Sequence, residues 1–353
     1  MKKIKLGFVG AGFNGQLIHI SNYYKIKNCE LIAIAEPRPI LRNLVAKKYK
    51  IKHQYANHLD LIENQKNLDA VIVVTKRQMI GPIAYDFLKN NISILTEKPI
   101  AGNLEQTRKL YNIWKKKNII YKLGYNKKFD IGIVEAKKYF DQFVNTKKLG
   151  KIILVKSHRS SGTGYSNIKG DIKTREPNKY SLQEWDSKPK WLPLKFKKMY
   201  DEYLNLYCHN LNLIRYFCGD IKNIKFSNLS SDTMSLVIMN NGDYDIVLET
   251  GFFDRDVWDE TFEIYFEKGS LKIFLPPQHQ QNGSAKLLLN GPNFRKVIKI
   301  KKPIKPIWSF YHQAKFFTKI IQNNDLNNTF NSPKDALGDM VLLEKIWKKY
   351  LGL

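Results

Sequence analysis

Two short stretches of this sequence hold side chains that can do chemistry. In Ile94-Leu95-Thr96-Glu97-Lys98-Pro99-Ile100-Ala101, an acid and a base stand side by side at the end of an apolar run, and a proline follows. Pro99 disfavours helical geometry at Lys98 and keeps the lysine extended, with a consistent aim. An ammonium held this way can bond a reacting oxygen and stabilise charge that develops on it, with Glu97 and nearby lysines tuning its proton affinity. The competing reading is a solvated acid–base pair at a strand end. The second stretch is EYLNLYCHNLNLIRYFCGD, residues 202–220. Leu204, Tyr207, Leu211, Ile214 and Phe217 recur at helical spacing, while Asn205, His209 and Asn212 stand at i, i+4 and i+7 on another stripe. A histidine there can move a proton near neutral pH, or it can be a buried ring held by two amides. Both readings stand on these residues alone.

The elements that must position Lys98 are easier to read. From Lys3 to about Gly124 the runs IKLGFVG, CELIAIAE, LDAVIVVT, NISILTE and IIYKLGY alternate with helical patterns. Strands alternating with helices of ten to fifteen residues imply right-handed crossovers and a doubly wound parallel sheet. Ligands of such sheets lie beyond the carboxyl ends of the strands, where Thr75, Glu97 and Lys98 fall. The first strand runs into Gly10-Ala11-Gly12-Phe13-Asn14-Gly15, a full GxGxxG that opens the first helix. Gly10 allows the tight turn, Gly12 lets the backbone approach a pyrophosphate, and Gly15 lets helix and strand meet. The helix N-terminus offers free N–H groups to that phosphate. The second strand ends in Glu36, placed to accept hydrogen bonds from a ribose, and Arg38 two residues on can bind a 2′-phosphate or stack on adenine. The cofactor expected is NAD, with NADP possible.

Residues 125–353 change character after one more helix, IGIVEAKKYFDQFV. KIILVKSHRS, IKNIKFSNL, MSLVIMNN, YDIVLETGFF, ETFEIYFEKG, SLKIFLP, AKLLLN and RKVIKI succeed one another through turns such as Asn241-Gly242 and Lys268-Gly269. They predict one large, mainly antiparallel sheet. Two helices close the chain, the second with Ser332 as N-cap and Pro333 at its first position. The fold expected is therefore α/β: a nucleotide-binding domain over 1–124, then an α+β domain over 125–353 for substrate and for assembly.

Composition narrows the function classes. No apolar run is long enough for a membrane span, and no leader pattern opens the chain, so a cytoplasmic protein is expected. Cys29, Cys208 and Cys218 suggest neither a disulfide framework nor a metal site. The net charge of +27 raises the question of nucleic acid, yet only nine of the 59 basic residues are Arg and the lysines are spread throughout. That is a solvated surface and not a nucleic-acid footprint, although it can attract an anionic substrate.

Taken in order, GFVGAGFNGQLIH, ELIAIAEP, LDAVIVVT, ILTEKPIA and HNLNLIRYFCG resemble the glucose-fructose oxidoreductase / inositol dehydrogenase / MocA family along essentially the whole chain. The resemblance implies a Rossmann domain, an open-faced sheet often used for dimerisation, and NAD(P)-dependent oxidation or reduction of a sugar-like ring. It implies that Lys98 and His209 frame the substrate carbinol, and that the assembly is a homodimer or homotetramer. Two features depart from the family pattern. Asn205 and Asn212 stand where acids are common, and an amide orients a ring without stabilising an imidazolium by charge. Lys76 and Arg77 replace a Pro-Asn pair after the fourth strand, which suits an anionic substrate, altered cofactor contacts or plain solvation. Asn126, Lys127, Lys128, His158, Arg159, Trp185 and Trp191 are further candidates for a sugar, sugar-phosphate or nucleotide-linked ligand, since aromatic faces suit sugars and Arg suits phosphate. The rival reading is a dinucleotide-binding sensor without catalysis, because the fold alone does not exclude it.

Overall fold

The computed structural model describes residues 3–162, 166–178, 184–230, 234–252, 258–298 and 306–353. The chain divides into two compact units. The first takes residues 1–125, 169–205 and 313–340; the second takes 126–168, 206–312 and 341–353. The first passage from one unit to the other falls between Tyr125 and Asn126, and two later segments return to the first unit.

The first unit is built on a six-stranded parallel sheet: β1 (Ile4–Val9), β2 (Cys29–Ala35), β3 (His53–Tyr55), β4 (Ala70–Val73), β5 (Ile94–Thr96) and β6 (Tyr121–Leu123), in the order β3-β2-β1-β4-β5-β6. Its helices are α1 (Ser21–Tyr24), α2 (Pro39–Tyr49), α3 (His58–Asn64), α4 (Arg77–Lys89) and α5 (Leu104–Trp114). The central strands are nearly unbroken apolar runs because helices cover both faces; Leu6, Phe8, Val71, Ile72, Val73 and Ile94 are fully buried. The order reverses between β1 and β4, so the carboxyl ends of these two strands flank a crevice. Asn57 caps α3 through Asp60 N–H, and Asn103 caps α5 through Gln106 N–H. The returning segments add cover. Tyr23 meets Phe317 edge to face at 6.5 Å, and the Cys29 thiol lies 3.4 Å from Thr318 Oγ1.

The second unit carries an eight-stranded sheet: β7 (Ile152–Ser161), β8 (Asn223–Asn228), β9 (Ser235–Asn240), β10 (Asp245–Phe252), β11 (Trp258–Phe266), β12 (Gly269–Phe274), β13 (Lys286–Gly291) and β14 (Phe294–Ile298). The order is β14-β13-β12-β11-β7-β10-β9-β8, antiparallel except where β7 runs parallel to β10. Burial alternates along β9 and β10, with one face packed and the other half-exposed. The packed face meets α6 (Ile131–Thr146) and the later part of α7 (Lys197–Cys218): Phe217 lies 5.0 Å from Phe262 and 5.4 Å from Phe140, and Phe143 lies 5.9 Å from Phe266. The last two residues of the expected strand RKVIKI, 299 and 300, lie outside the described residues, as does 253 in YDIVLETGFF.

The chain ends in α8 (Ser309–Gln322) and α9 (Pro333–Leu351). Pro333 does open α9, but the Ser332 hydroxyl is buried and has no hydrogen-bond partner among the described residues, so the expected side-chain cap is absent. Ser332 contributes its carbonyl instead, which accepts from Ala336 N–H at 3.1 Å. Among the described residues no helix is long and apolar enough to cross a membrane.

Candidate active site

Beyond the carboxyl ends of β1, β2, β4 and β5 lies a cleft of about 430 Å³. Its floor is the glycine loop. Gly10 has φ +93°, and a Cβ there would sit 2.0 Å from the Val74 carbonyl oxygen, so both dihedral and space demand glycine. A Cβ on Gly15 would stand 2.5 Å from the Gly10 oxygen, whereas at Gly12 nothing lies within 4 Å. That open backbone on the cleft is the cradle a pyrophosphate fills, so these residues fit a dinucleotide. Gly10, Gly12, Phe13, Asn14 and Gly15 line the cleft, together with Glu36, Arg38, Thr75, Lys76, Arg77, Glu97, Lys98 and Asn205. Ala11, expected in the same set, turns away from it. It is fully buried, its N–H donates to Glu36, and its carbonyl accepts from Gln16 Nε2 at 2.7 Å.

The helix after the loop opens as one π-helical turn, Gly15–Ile20, before α1. This turn brings His19 to Glu97, with His19 Nε2 2.7 Å from Glu97 Oε1. Glu97 Oε2 accepts the Lys98 N–H at 3.1 Å. Burial works to raise the Glu97 carboxyl, but the bond and charge of His19, with the charge and N–H of Lys98, outweigh it and hold the group below its ordinary value. The Lys98 ammonium donates to the Asn205 carbonyl at 2.9 Å and reaches Asn205 Oδ1 at 3.5 Å. The Lys98–Pro99 peptide is cis.

At the adenosine end Glu36 is only 2% exposed and already engaged. Oε2 accepts the Ala11 N–H at 2.8 Å, and Oε1 accepts Arg38 Nε at 2.6 Å. Arg38 is therefore paired with the acid instead of standing free, and Arg42 donates to the Glu36 carbonyl. Arg77 is fixed by its bond to the Asp201 carbonyl at 2.6 Å, while Lys76 stays exposed on the cleft.

The segment 169–178, which carries no hydrophobic period or motif, edges this cleft. Gln16 holds the Ile172 main chain from both sides, Oε1 accepting its N–H at 2.8 Å and Nε2 donating to its carbonyl at 3.0 Å. Glu176 accepts the N–H groups of Ile40 and Leu41 at the start of α2, at 2.8 and 2.9 Å. Asn178 then lines the cleft. Trp185 packs onto Gly81 and Tyr85 with Lys109 over its ring, and Trp191 meets Tyr200, so in the first unit both indoles serve as packing.

The remaining candidates belong to the second unit. His209 and Asn212 are buried on α7. Lys127 forms a buried ion pair with Glu260, whose Oε1 also accepts from Asn210 at 3.0 Å. Burial lowers the Lys127 ammonium to about 8, against the charge of Glu260 that raises it. Arg159 donates to the Leu206 carbonyl and lies over Trp258 and Tyr207 at 5.2 and 5.8 Å. Asn126 donates to Ser309 Oγ at 2.9 Å, Lys128 stands over Tyr216, and His158 pairs with Glu249 at 3.0 Å. Asp130 caps α6 and also accepts the Ala285 N–H at 2.9 Å; burial raises its carboxyl to about 6.

A six-stranded parallel sheet with its glycine loop, an acid ending β2 and a lysine at the carboxyl edge of β5 define a Rossmann-type dinucleotide-binding protein. Residues 4–125 match the Gfo/Idh/MocA family, described as an oxidoreductase family with an NAD-binding Rossmann fold. That match covers the dinucleotide-binding part of the chain. Among curated relatives, the myo-inositol 2-dehydrogenase of Thermotoga maritima is 27% identical over 135 residues, which cover 38% of this chain and 40% of that protein. The levoglucosan dehydrogenase of Pseudarthrobacter phenanthrenivorans is 24% identical over 150 residues, covering 40% of this chain and 38% of that protein. The matched region thus spans about two fifths of the length of each. Solved structures extend the likeness of fold to nearly the whole chain. A 3-ketoreductase from Actinomadura kijaniata, crystallised with NADP and TDP-benzene, has a TM-score of 0.74 at 12% identity and covers 99% of this chain and 98% of its own. A putative myo-inositol dehydrogenase from Sinorhizobium meliloti has a TM-score of 0.69 at 14% identity, with the same coverages.

Proposed function

We propose that this protein is an NAD(P)-dependent oxidoreductase that acts on a secondary alcohol or ketone of a sugar, cyclitol or sugar nucleotide. The observation that carries the reading is the Lys98 ammonium, which shares one cleft with the glycine loop and is held there by the Asn205 carbonyl. The dinucleotide, when bound, supplies or takes up a hydride at its nicotinamide ring. The glycine loop and the helix behind it bind the pyrophosphate, and Glu36 with Arg38 orients the adenosine ribose. Lys98 hydrogen-bonds the reacting oxygen and stabilises charge on it. His209, assigned on the sequence resemblance, accepts or supplies the proton, and Asn212 orients it or a substrate hydroxyl. Lys76 and Arg77 favour a substrate that carries a negative group, such as a sugar acid or a nucleotide-linked sugar.

The test begins with the dinucleotide that copurifies, identified by mass spectrometry. Nicotinamide absorbance is then followed with myo-inositol, levoglucosan, uronic acids and keto-sugar nucleotides. Turnover of one member by the wild type, with Lys98→Met at least about a hundredfold slower, is expected. If dinucleotide binds and none of these compounds is turned over, a sensor takes the place of this reading.

A further inference from the structure

We propose that His19 is a positioning residue for this reaction, acting on Lys98 through Glu97. The inference rests on the oxidoreductase reading and adds a residue that no feature of the cleft lining marks. Lys98 is held at two points. Its ammonium bonds Asn205, and its backbone N–H bonds Glu97 Oε2 at 3.1 Å. The orientation of the Glu97 carboxylate therefore sets where the Lys98 backbone sits, and the other oxygen of that carboxylate is bonded by His19 Nε2 at 2.7 Å. A carboxylate only accepts, so the His19 nitrogen donates, and the bond is charge-assisted.

Two further observations support a built arrangement. His19 is 3% exposed and stands in the π-helical turn that starts at Gly15, an irregularity of the kind often found at functional sites. The opposite side of the carboxylate is walled by Gly124, where a Cβ would stand 3.0 Å from Glu97 Oε2 and 3.2 Å from Glu97 Cα. Histidine on one side and bare backbone on the other leave the carboxylate one orientation. The loop that takes the pyrophosphate and the lysine that takes the reacting oxygen are thereby joined by a single chain of contacts, Gly15–Ile20 to Glu97 to Lys98.

The experiment compares His19→Ala, His19→Gln and Gly124→Ala in the full chain. Gln can bring an amide N–H to the place of His Nε2, so it keeps the bond that Ala removes. Backbone hydrogen exchange of the peptide covering 94–101 reads the Lys98 N–H without any substrate. Exchange at Lys98 should rise about tenfold or more in His19→Ala and Gly124→Ala and return toward wild type in His19→Gln. NAD+ affinity should stay within about twofold in all three. With whichever polyol or keto-sugar the wild type turns over, kcat should fall about tenfold in His19→Ala and recover in His19→Gln, with KM moving less. Unchanged exchange at Lys98 in His19→Ala overturns the inference. So does equal damage in the Ala and Gln variants together with weaker NAD+ binding, which would make His19 a support of the phosphate loop. A wild type without turnover defeats the proposed function and leaves the exchange result to decide the contact itself.

Discussion

Replacing Glu36 by Ala should change two quantities in ways the structure lets one estimate. The first is stability. Glu36 Oε2 is the acceptor for the N–H of Ala11, which is fully buried, and Oε1 is the acceptor for Arg38 Nε, whose side chain is 18% exposed. Leaving the Ala11 N–H unsatisfied costs about 1–3 kcal/mol, and the partly hydrated guanidinium adds about 1 kcal/mol at most. A total of roughly 1–4 kcal/mol corresponds to a fall in Tm of roughly 2–16 °C for a unit of this size. The second is cofactor choice. In the wild type the carboxylate repels a third phosphate and occupies Arg38, so NAD+ should bind more tightly than NADP+. The Ala variant removes the repulsion and frees a guanidinium, and one charge-assisted bond to a phosphate contributes about 1.5–3 kcal/mol. The ratio of the two affinities should shift toward NADP+ by roughly 10- to 100-fold. Calorimetric titration of both dinucleotides into wild type, Glu36→Ala and Glu36→Ala/Arg38→Ala measures this directly. Equal affinities in the wild type, an unchanged ratio in the single variant, or a gain that survives removal of Arg38 would each refute the reasoning.

Three other outcomes are expected. On the proposed function, Lys98→Met and His209→Ala should each reduce turnover about a hundredfold or more while dinucleotide affinity stays near wild type, and a double variant that loses less than the product would show that the two roles are coupled. Lys127→Met leaves the buried Glu260 carboxylate without its cation and should cost about 3–5 kcal/mol by urea unfolding, with much of it recovered in Lys127→Met/Glu260→Leu; an additive double variant would show that the pair is not coupled. Asp130 titrates higher in the folded state, about 6, than a free carboxyl does, so its favourable contribution is complete below about pH 4 and is lost as pH rises through 6; Asp130→Asn should flatten that part of the stability profile measured from pH 4 to 7.

The parallel sheet was legible because strands buried on both faces must be apolar throughout, as Val71, Ile72 and Val73 are. β3 was not, since His53–Tyr55 is three residues long and mostly exposed, with no hydrophobic period to reveal it. The glycine loop was legible at Gly10, where dihedral and contact both exclude a side chain, but the pattern could not show that Ala11 faces inward. Glu36 was read from its place at the end of β2, yet a single sequence does not show that a buried carboxylate must first satisfy its own neighbours. The Lys127–Glu260 pair joins residues 133 positions apart, and the turn to α9 exposed how little a Ser-Pro signal says about which group does the capping. Asn178 and the segment before it carry no period at all; only the bonds to Gln16, Ile40 and Leu41 show where that segment runs.

The return of residues 313–340 to the first unit bears on how the chain is made. The six strands of the parallel sheet are complete once Leu123 has left the ribosome, but Phe317, which meets Tyr23, and Thr318, which meets Cys29, lie on α8. At ordinary rates of synthesis roughly 10–40 s separate the two events. During that interval the nascent unit holds a finished sheet with an uncovered apolar flank, and Gln16 waits for Ile172. A polypeptide released after Tyr125 would keep every strand and the glycine loop, and would never acquire that cover.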